Sequence, residues 1–188
     1  ILGELIDEIP GALWLRAWFV RRAAPDMVRV VVGVDPATTS GEDSNETGIL
    51  VAGRGVDGFG YVLADRSCRA SPDAWARRAV RAYHEFKADR IIAESNQGGE
   101  MVTLTIKTVD PSVPVELVHA SRGKQARAEP IAALYEQGKV FHTASFSDLE
   151  DQLCSWVAED GESPDRLDAL VWALSSIMFT GRPGVRWL

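Results

Sequence analysis

Residues Val28 to Val34 (VRVVVGV) form a nearly unbroken β-branched run, and a carboxylate, Asp35, follows with no spacer. β-Branched side chains are stiff at χ1 and suit a pleated, packed surface, so the run reads as a buried strand. Two more β-rich runs follow, Gly48–Arg54 and Phe59–Asp65. Between them, Gly55-Val56-Asp57-Gly58 reads as a hairpin turn. A chain that opens this way must build a sheet, and a carboxylate at the end of a buried strand needs a partner or a purpose.

The pattern then changes. Ser71-Pro72-Asp73 is a helix start, and Trp75, Ala79, Ala82, Tyr83 and Phe86 repeat at helical spacing. Arg90–Ala93 is a short apolar strand ending in Glu94. A helix is expected over Glu100–Thr108, a strand over Pro114–His119, and a helix over Gln125–Gln137 stopped by Gly138. Val140–His142 reads as a small edge strand, followed by helices over Phe146–Ala158 and Pro164–Thr180. Three adjacent strands imply an antiparallel meander, and later strands separated by helices imply parallel additions. The fold class is therefore α/β, a mixed central sheet flanked by helices. Thr38–Glu46, rich in Gly, Ser and Asn, reads as a loop. Within residues 1–25, GALWLRAWFVRR has apolar residues at helical spacing, and this lead-in is expected to form a helix before Pro25. Residues 26–188 would then make one domain.

Three acids share a placement. Asp35 follows the first strand, Glu94 follows the strand after the first helix, and Asp168 lies early in the last helix. Strands joined by a helical crossover run parallel, so their C-terminal ends share one edge of the sheet. Ser163 is a good N-cap and Pro164 suits the first helical position. The stripe Leu167, Leu170, Val171, Leu174, Ile177 and Met178 would then pack on the sheet and aim Asp168 at the crevice. Asp165 lies one turn earlier on a neighbouring face. Taken singly, an Asp after a strand is ordinarily a turn former, and an Asp early in a helix serves the dipole. Three together repel one another unless one takes up a proton or a cation intervenes. Hard Mg²⁺ or Mn²⁺ suits carboxylate oxygens, and a pair of such ions about 3.5–4 Å apart suits phosphodiester hydrolysis.

The formal charge of −7 argues against a simple basic nucleic-acid-binding module, but clustered carboxylates would offset basic contacts in that sum. Cys68 and Cys154 form no metal motif and are expected as free thiols in a reducing cytoplasm. No apolar run approaches the roughly 20 residues needed to cross a bilayer. The chain starts at Ile1 without a signal peptide and reads as a piece of a longer or processed protein. His119 and His142 are read as structural or solvent-facing, and His84 as lying on a helix surface. Asp43 and Glu46 are read as exposed surface, with an added acid near the metals as the alternative.

The ordered set GVDPA, ETGILVAG, IIAESNQGGEMV, HASRGKQARAEPIAALYEQGKV and SPDRLDALVWAL resembles the C-terminal nuclease domain of the large terminase subunit of tailed bacteriophages and gene transfer agents. IPGALWLRAWF resembles the segment that joins the ATPase of that family to its nuclease. The resemblance implies an RNase H-like fold of the RuvC/resolvase type. It also implies an endonuclease with Asp35, Glu94 and Asp168 as catalytic metal ligands, and Asp165 as an accessory ligand. Mg²⁺ or Mn²⁺, as two ions, would be the cofactor, and concatemeric double-stranded DNA the substrate. The implied partners are a missing N-terminal ATPase domain, the small terminase subunit and the portal protein of the procapsid, in the host cytoplasm and away from any membrane. No GxxxxGK[ST] motif is present: Val118 stands where its first glycine would be and Gln125 where Ser/Thr would be, so this fragment is not expected to hydrolyse ATP. Arg122, Lys124 and Arg127 in SRGKQAR, with Asn96 and Gln97 beside Glu94, are the candidates for holding DNA phosphates. Two alternatives stand beside this reading: another RNase H-like nuclease of junction-resolvase or transposase type, and a non-catalytic docking module for portal or small subunit.

Overall fold

A computed structural model describes residues 9–36, 46–95, 99–158 and 164–179. The expected loop over 38–46 lies largely outside these residues, as do Asp43, Asn96, Gln97 and Ser163. Among the described residues, six strands and five α-helices follow one another as β1 (Met27–Asp35), β2 (Gly48–Gly55), β3 (Gly60–Asp65), α1 (Pro72–Glu85), β4 (Arg90–Glu94), α2 (Gly99–Val109), β5 (Val115–Val118), α3 (Lys124–Glu136), β6 (Val140–His142), α4 (Ser147–Ser155) and α5 (Asp165–Met178).

The strands form one sheet in the order β5-β4-β1-β2-β3-β6. β1, β2 and β3 are the expected antiparallel meander. The β2–β3 turn closes with Gly58 N–H donating to the Gly55 carbonyl at 2.9 Å, and Gly58 takes φ +83°, where glycine carries no Cβ penalty. β4 runs parallel to β1, β5 to β4, and β6 to β3. The C-terminal ends of β1, β3, β4 and β5 therefore share one edge, which holds Asp35, Asp65 and Glu94. Ser71 caps α1 by accepting from the Ala74 N–H at 3.4 Å, with Pro72 at the first helical position.

Side chains alternate across the sheet and split the core in two. Val30, Val32, Val34, Ile91 and Ala93 face α1 and α2, with Trp75, Ala79, Val102 and Ile106. Val31, Leu50, Ala52 and Ile92 face α3, α4 and α5. Asp35 and Glu94 are in step with Val31 and Ile92, so both lie on the α5 side. α5 is buried from Arg166 to Ile177 on all sides, more than the single stripe expected, because it is sandwiched between the sheet and α3 and α4.

The lead-in departs from expectation. Residues 9–25 hold only a single 3₁₀ turn, Arg16–Trp18, in place of a helix. The segment is extended instead. Ala12 bridges Val157, and Arg21 pairs beside His142 along the outer edge of β6. Trp14 and Phe19 are buried in the α5-side core. Tertiary packing outweighs a helical pattern here, since these rings gain more from the core than a short helix offers. Among the described residues, no helix is long and apolar enough to cross a membrane.

Candidate functional site

α5 reaches the acidic edge because two glycines let it touch the sheet backbone. A Cβ on Gly33 would stand 2.1 Å from the Ala169 carbonyl oxygen, and one on Gly48 would stand 2.1 Å from that of Asp165. Gly33 is on the same face of β1 as Asp35, and Gly48 is the register partner of Asp35. This close approach sets the first turn of α5, with Asp165 and Asp168, against the end of β1. Pro164 is the N-cap of α5, one place after the expected cap at Ser163, so Asp165 rather than Pro164 opens the helix.

The electrostatics register the convergence. The Asp35 carboxyl is pushed well above the usual carboxylate range, first by burial, then by the charges of Asp168 and Asp165, and further by Glu94; Lys124 pulls the other way. The charges of Asp168, Asp165 and Glu94 thus reach Asp35. Two basic side chains from α3 sit among them. Lys124 Nζ lies 3.0 Å from Asp168 Oδ2, and an Arg127 Nη donates to Glu94 Oε2 at 3.2 Å. Arg127 also stacks its guanidinium 4.6 Å from the Trp172 ring centre. α3 can reach both acids because it carries the chain from the end of β5 at one sheet edge to β6 at the other, starting on the acidic edge. Arg122 is exposed in the preceding loop.

The donor set fits a hard divalent cation. Its carboxylate oxygens are the right chemistry, and a cation would offset the excess charge that makes Asp35 hard to ionise. The cage is not closed, however. Among the described residues, no three His, Cys, Asp or Glu side chains form a group able to hold one ion. Glu94 is engaged by Arg127, and Asp168 by Lys124.

Sequence reading missed Arg166. Its guanidinium is buried and holds three carboxylates: Asp65 at the end of β3 (2.8 Å), Glu46 at the start of β2, and Asp148 on α4 (3.4 Å). Glu46, expected as exposed surface, is instead tied down here and to Gln152 at 3.2 Å. The only signal in the sequence was a basic residue inside SPDRLD, next to the acid of interest. An open polar cleft of about 290 Å³ lies beside this arginine, lined by Asp65, Ser67, Ser145, Phe146, Ser147, Asp148 and Arg166. Asp35, Glu94 and Asp168 are absent from its lining.

The histidines are placed as follows. His84 is on the surface with Asp110, and His119 is exposed. His142 is fully buried, with Nε2 3.0 Å from the Tyr135 hydroxyl and Nδ1 2.8 Å from Glu150. Arg21 donates to the other Glu150 oxygen at 2.7 Å. This relay has no access for a substrate and belongs to the core. Cys68 and Cys154 are free thiols.

No curated protein sequence matches the chain. The structure is similar to the large terminase nuclease of thermophilic phage G20c crystallised with magnesium, with TM-score 0.67 at 12% identity over 90% of this chain and 99% of that one. The same nuclease with cobalt gives TM-score 0.66 at 12% identity, again over 90% and 99%. The HK97 bacteriophage large terminase gives TM-score 0.60 at 10% identity, over 88% of this chain and 43% of that one. These likenesses are of fold. A family model described as the terminase RNaseH-like domain matches residues 32–176, from within β1 to the last turns of α5. The fold is thus RNase H-like, with the nuclease-domain architecture of a terminase, and the chain belongs to the terminase RNaseH-like domain family.

Proposed function

We propose that this domain is a divalent-metal-dependent endonuclease that cuts double-stranded DNA during genome packaging, as part of a longer protein with an ATPase motor. One observation supports the reading: Asp35 ends β1, Glu94 ends the parallel strand β4, and Asp168 lies in the first turn of α5 packed on β1 and β2, where burial first and then the charges of the other acids oppose the ionisation of Asp35. Asp35, Glu94 and Asp168 would hold the divalent ions, with Asp165 as an accessory ligand. Mg²⁺ or Mn²⁺, when bound, supplies the charge that activates an attacking water and stabilises the departing 3′ oxygen. The residues of the chain do the rest. Arg122, Lys124 and Arg127, with Asn96 and Gln97, hold phosphates of the backbone and set its position. Nothing in the sequence resembles a base-reading module, so cutting is expected to be largely indifferent to sequence.

The G20c structures with magnesium, cobalt and zinc support a divalent-ion reading for the fold. The large-subunit architecture of HK97, of which this chain spans 43%, supports a linked motor domain. Plasmid cleavage in Mg²⁺ or Mn²⁺, comparing the natural chain with Asp35→Ala, is the test. Supercoiled plasmid should be nicked and linearised by the natural chain and left intact by the variant. Cutting confined to four-way junctions would favour a resolvase, and no cleavage with no metal uptake would favour a docking module.

A further inference from the structure

We infer that Lys124 and Arg127 are the resident counter-cations of the acid cluster, that divalent ions compete with them for Asp168 and Glu94, and that metal entry transfers both side chains to the DNA backbone. The inference rests on the metal-nuclease reading above and adds to it an exchange of cations.

Four observations support it. Lys124 and Arg127 are three apart in the first turn of α3, so they project from one helix face. Each takes a different acid, at 3.0 and 3.2 Å. Side-chain exposures of 7% for Asp168, 15% for Glu94 and 13% for Arg127 leave little water in the pairs, so a metal ion and a basic head compete for the same oxygens. The acids, held this way, do not form a closed cage among the described residues. A metal that takes Glu94 Oε2 and Asp168 Oδ2 would displace Arg127 and Lys124 from those oxygens.

The released groups are suited to a phosphate. Arg127 is braced on Trp172, and its buried Nε has no hydrogen-bond partner, so its donor fork is only partly used. Lys124 is more exposed, at 37%, and can swing on its four-carbon stem. A released ammonium and guanidinium beside an acidic edge would meet the backbone of a duplex laid over it. Metal and DNA then favour each other, and linkage requires the two effects on affinity to be equal.

The test uses the whole 188-residue chain. Mn²⁺ binding is measured by calorimetry for the natural chain and for Lys124→Gln, Lys124→Arg and Asp35→Asn, with thermal unfolding as the check on folding. Duplex affinity is measured with and without Ca²⁺. Removing the competing cation should tighten Mn²⁺ binding by at least about threefold in Lys124→Gln, the scale of one partly exposed ion pair, while Lys124→Arg stays near the natural value. Ca²⁺ should raise duplex affinity in the natural chain and raise it less in Lys124→Gln. Mn²⁺ affinity in Lys124→Gln equal to or weaker than natural, with Asp35→Asn abolishing uptake, would overturn the exchange and leave the metal site standing. Absence of Mn²⁺ uptake in every chain, including the natural one, would overturn both.

Discussion

At the scale of single residues, Asp35 and Arg166 are opposites. Asp35 is a carboxylate whose charge the fold resists: burial and three neighbouring acids raise its pKa above the value of a free side chain, about 3.8. Its ionisation costs stability that appears as pH rises above that value. Asp35→Asn should therefore raise the thermal midpoint of the metal-free protein at pH 7, with the gain shrinking as pH falls towards 4, while cleavage is lost. Calorimetric melts across pH check this. Arg166 is a buried cation surrounded by carboxylates. Arg166→Met would leave Glu46 and Asp65 half-buried without their partner. It should cost about 3 kcal/mol in urea unfolding, whereas Asp148, exposed at 75%, contributes little to that loss. The two residues also differ in how readable they were. Asp35 announced itself because it interrupts a β-branched run. Arg166 is one basic residue in a helix, and nothing local reveals that Glu46 and Asp65, more than a hundred positions earlier, converge on it.

At the scale of elements, the contact of α5 with β1 and β2 decides where Asp168 stands. Gly33→Ala would drive a methyl into the Ala169 carbonyl at 2.1 Å and against the Ala173 side chain at 3.0 Å. Both are fixed by a buried helix, so neither can move aside. We expect a loss of at least about 3 kcal/mol in denaturant titration and a displaced Asp168. Gly123→Ala, with nothing within 4 Å of the new atom, is the neutral counterpart. Most elements were legible: β-branched runs gave the strands, and Ser71-Pro72 gave the start of α1. The helix expected in the lead-in was not formed, since periodicity records which residues are apolar but not what they will pack against. Trp14 and Phe19 find the core of a domain whose own helices already fill the α5 face, and an extended path along β6 reaches it. The grip of α3 on two acids was also hidden, because it follows from a crossover spanning the sheet rather than from any motif.

For the whole molecule, acid sensitivity should centre on the Tyr135–His142–Glu150–Arg21 network. Burial lowers the His142 pKa from 6.5, against the pull of Glu150. Burial opposes the Glu150 charge, but hydrogen bonds from His142 and the Phe146 N–H, with Arg21, hold that carboxyl at about 2. Both groups bind protons less readily in the folded chain, so stability is present at neutral pH and is lost as pH falls. The His142 share should go from about pH 6.5 downward, and the Glu150 share between about pH 4.5 and 2. Glu150→Gln should flatten the lower part of a plot of thermal midpoint against pH. The same network also fastens the lead-in to the domain. Arg21 clasps Glu150, Arg22 donates its backbone N–H to the His142 carbonyl, and Trp14 is sunk nearby in the core. These contacts, with the Ala12–Val157 bridge and the Arg16–Asp151 pair, hold residues 12–22 against the domain. β6 lies three strands from β1, a span of about 14 Å. The contacts that fasten the lead-in thus lie at the far margin of the sheet from Asp35.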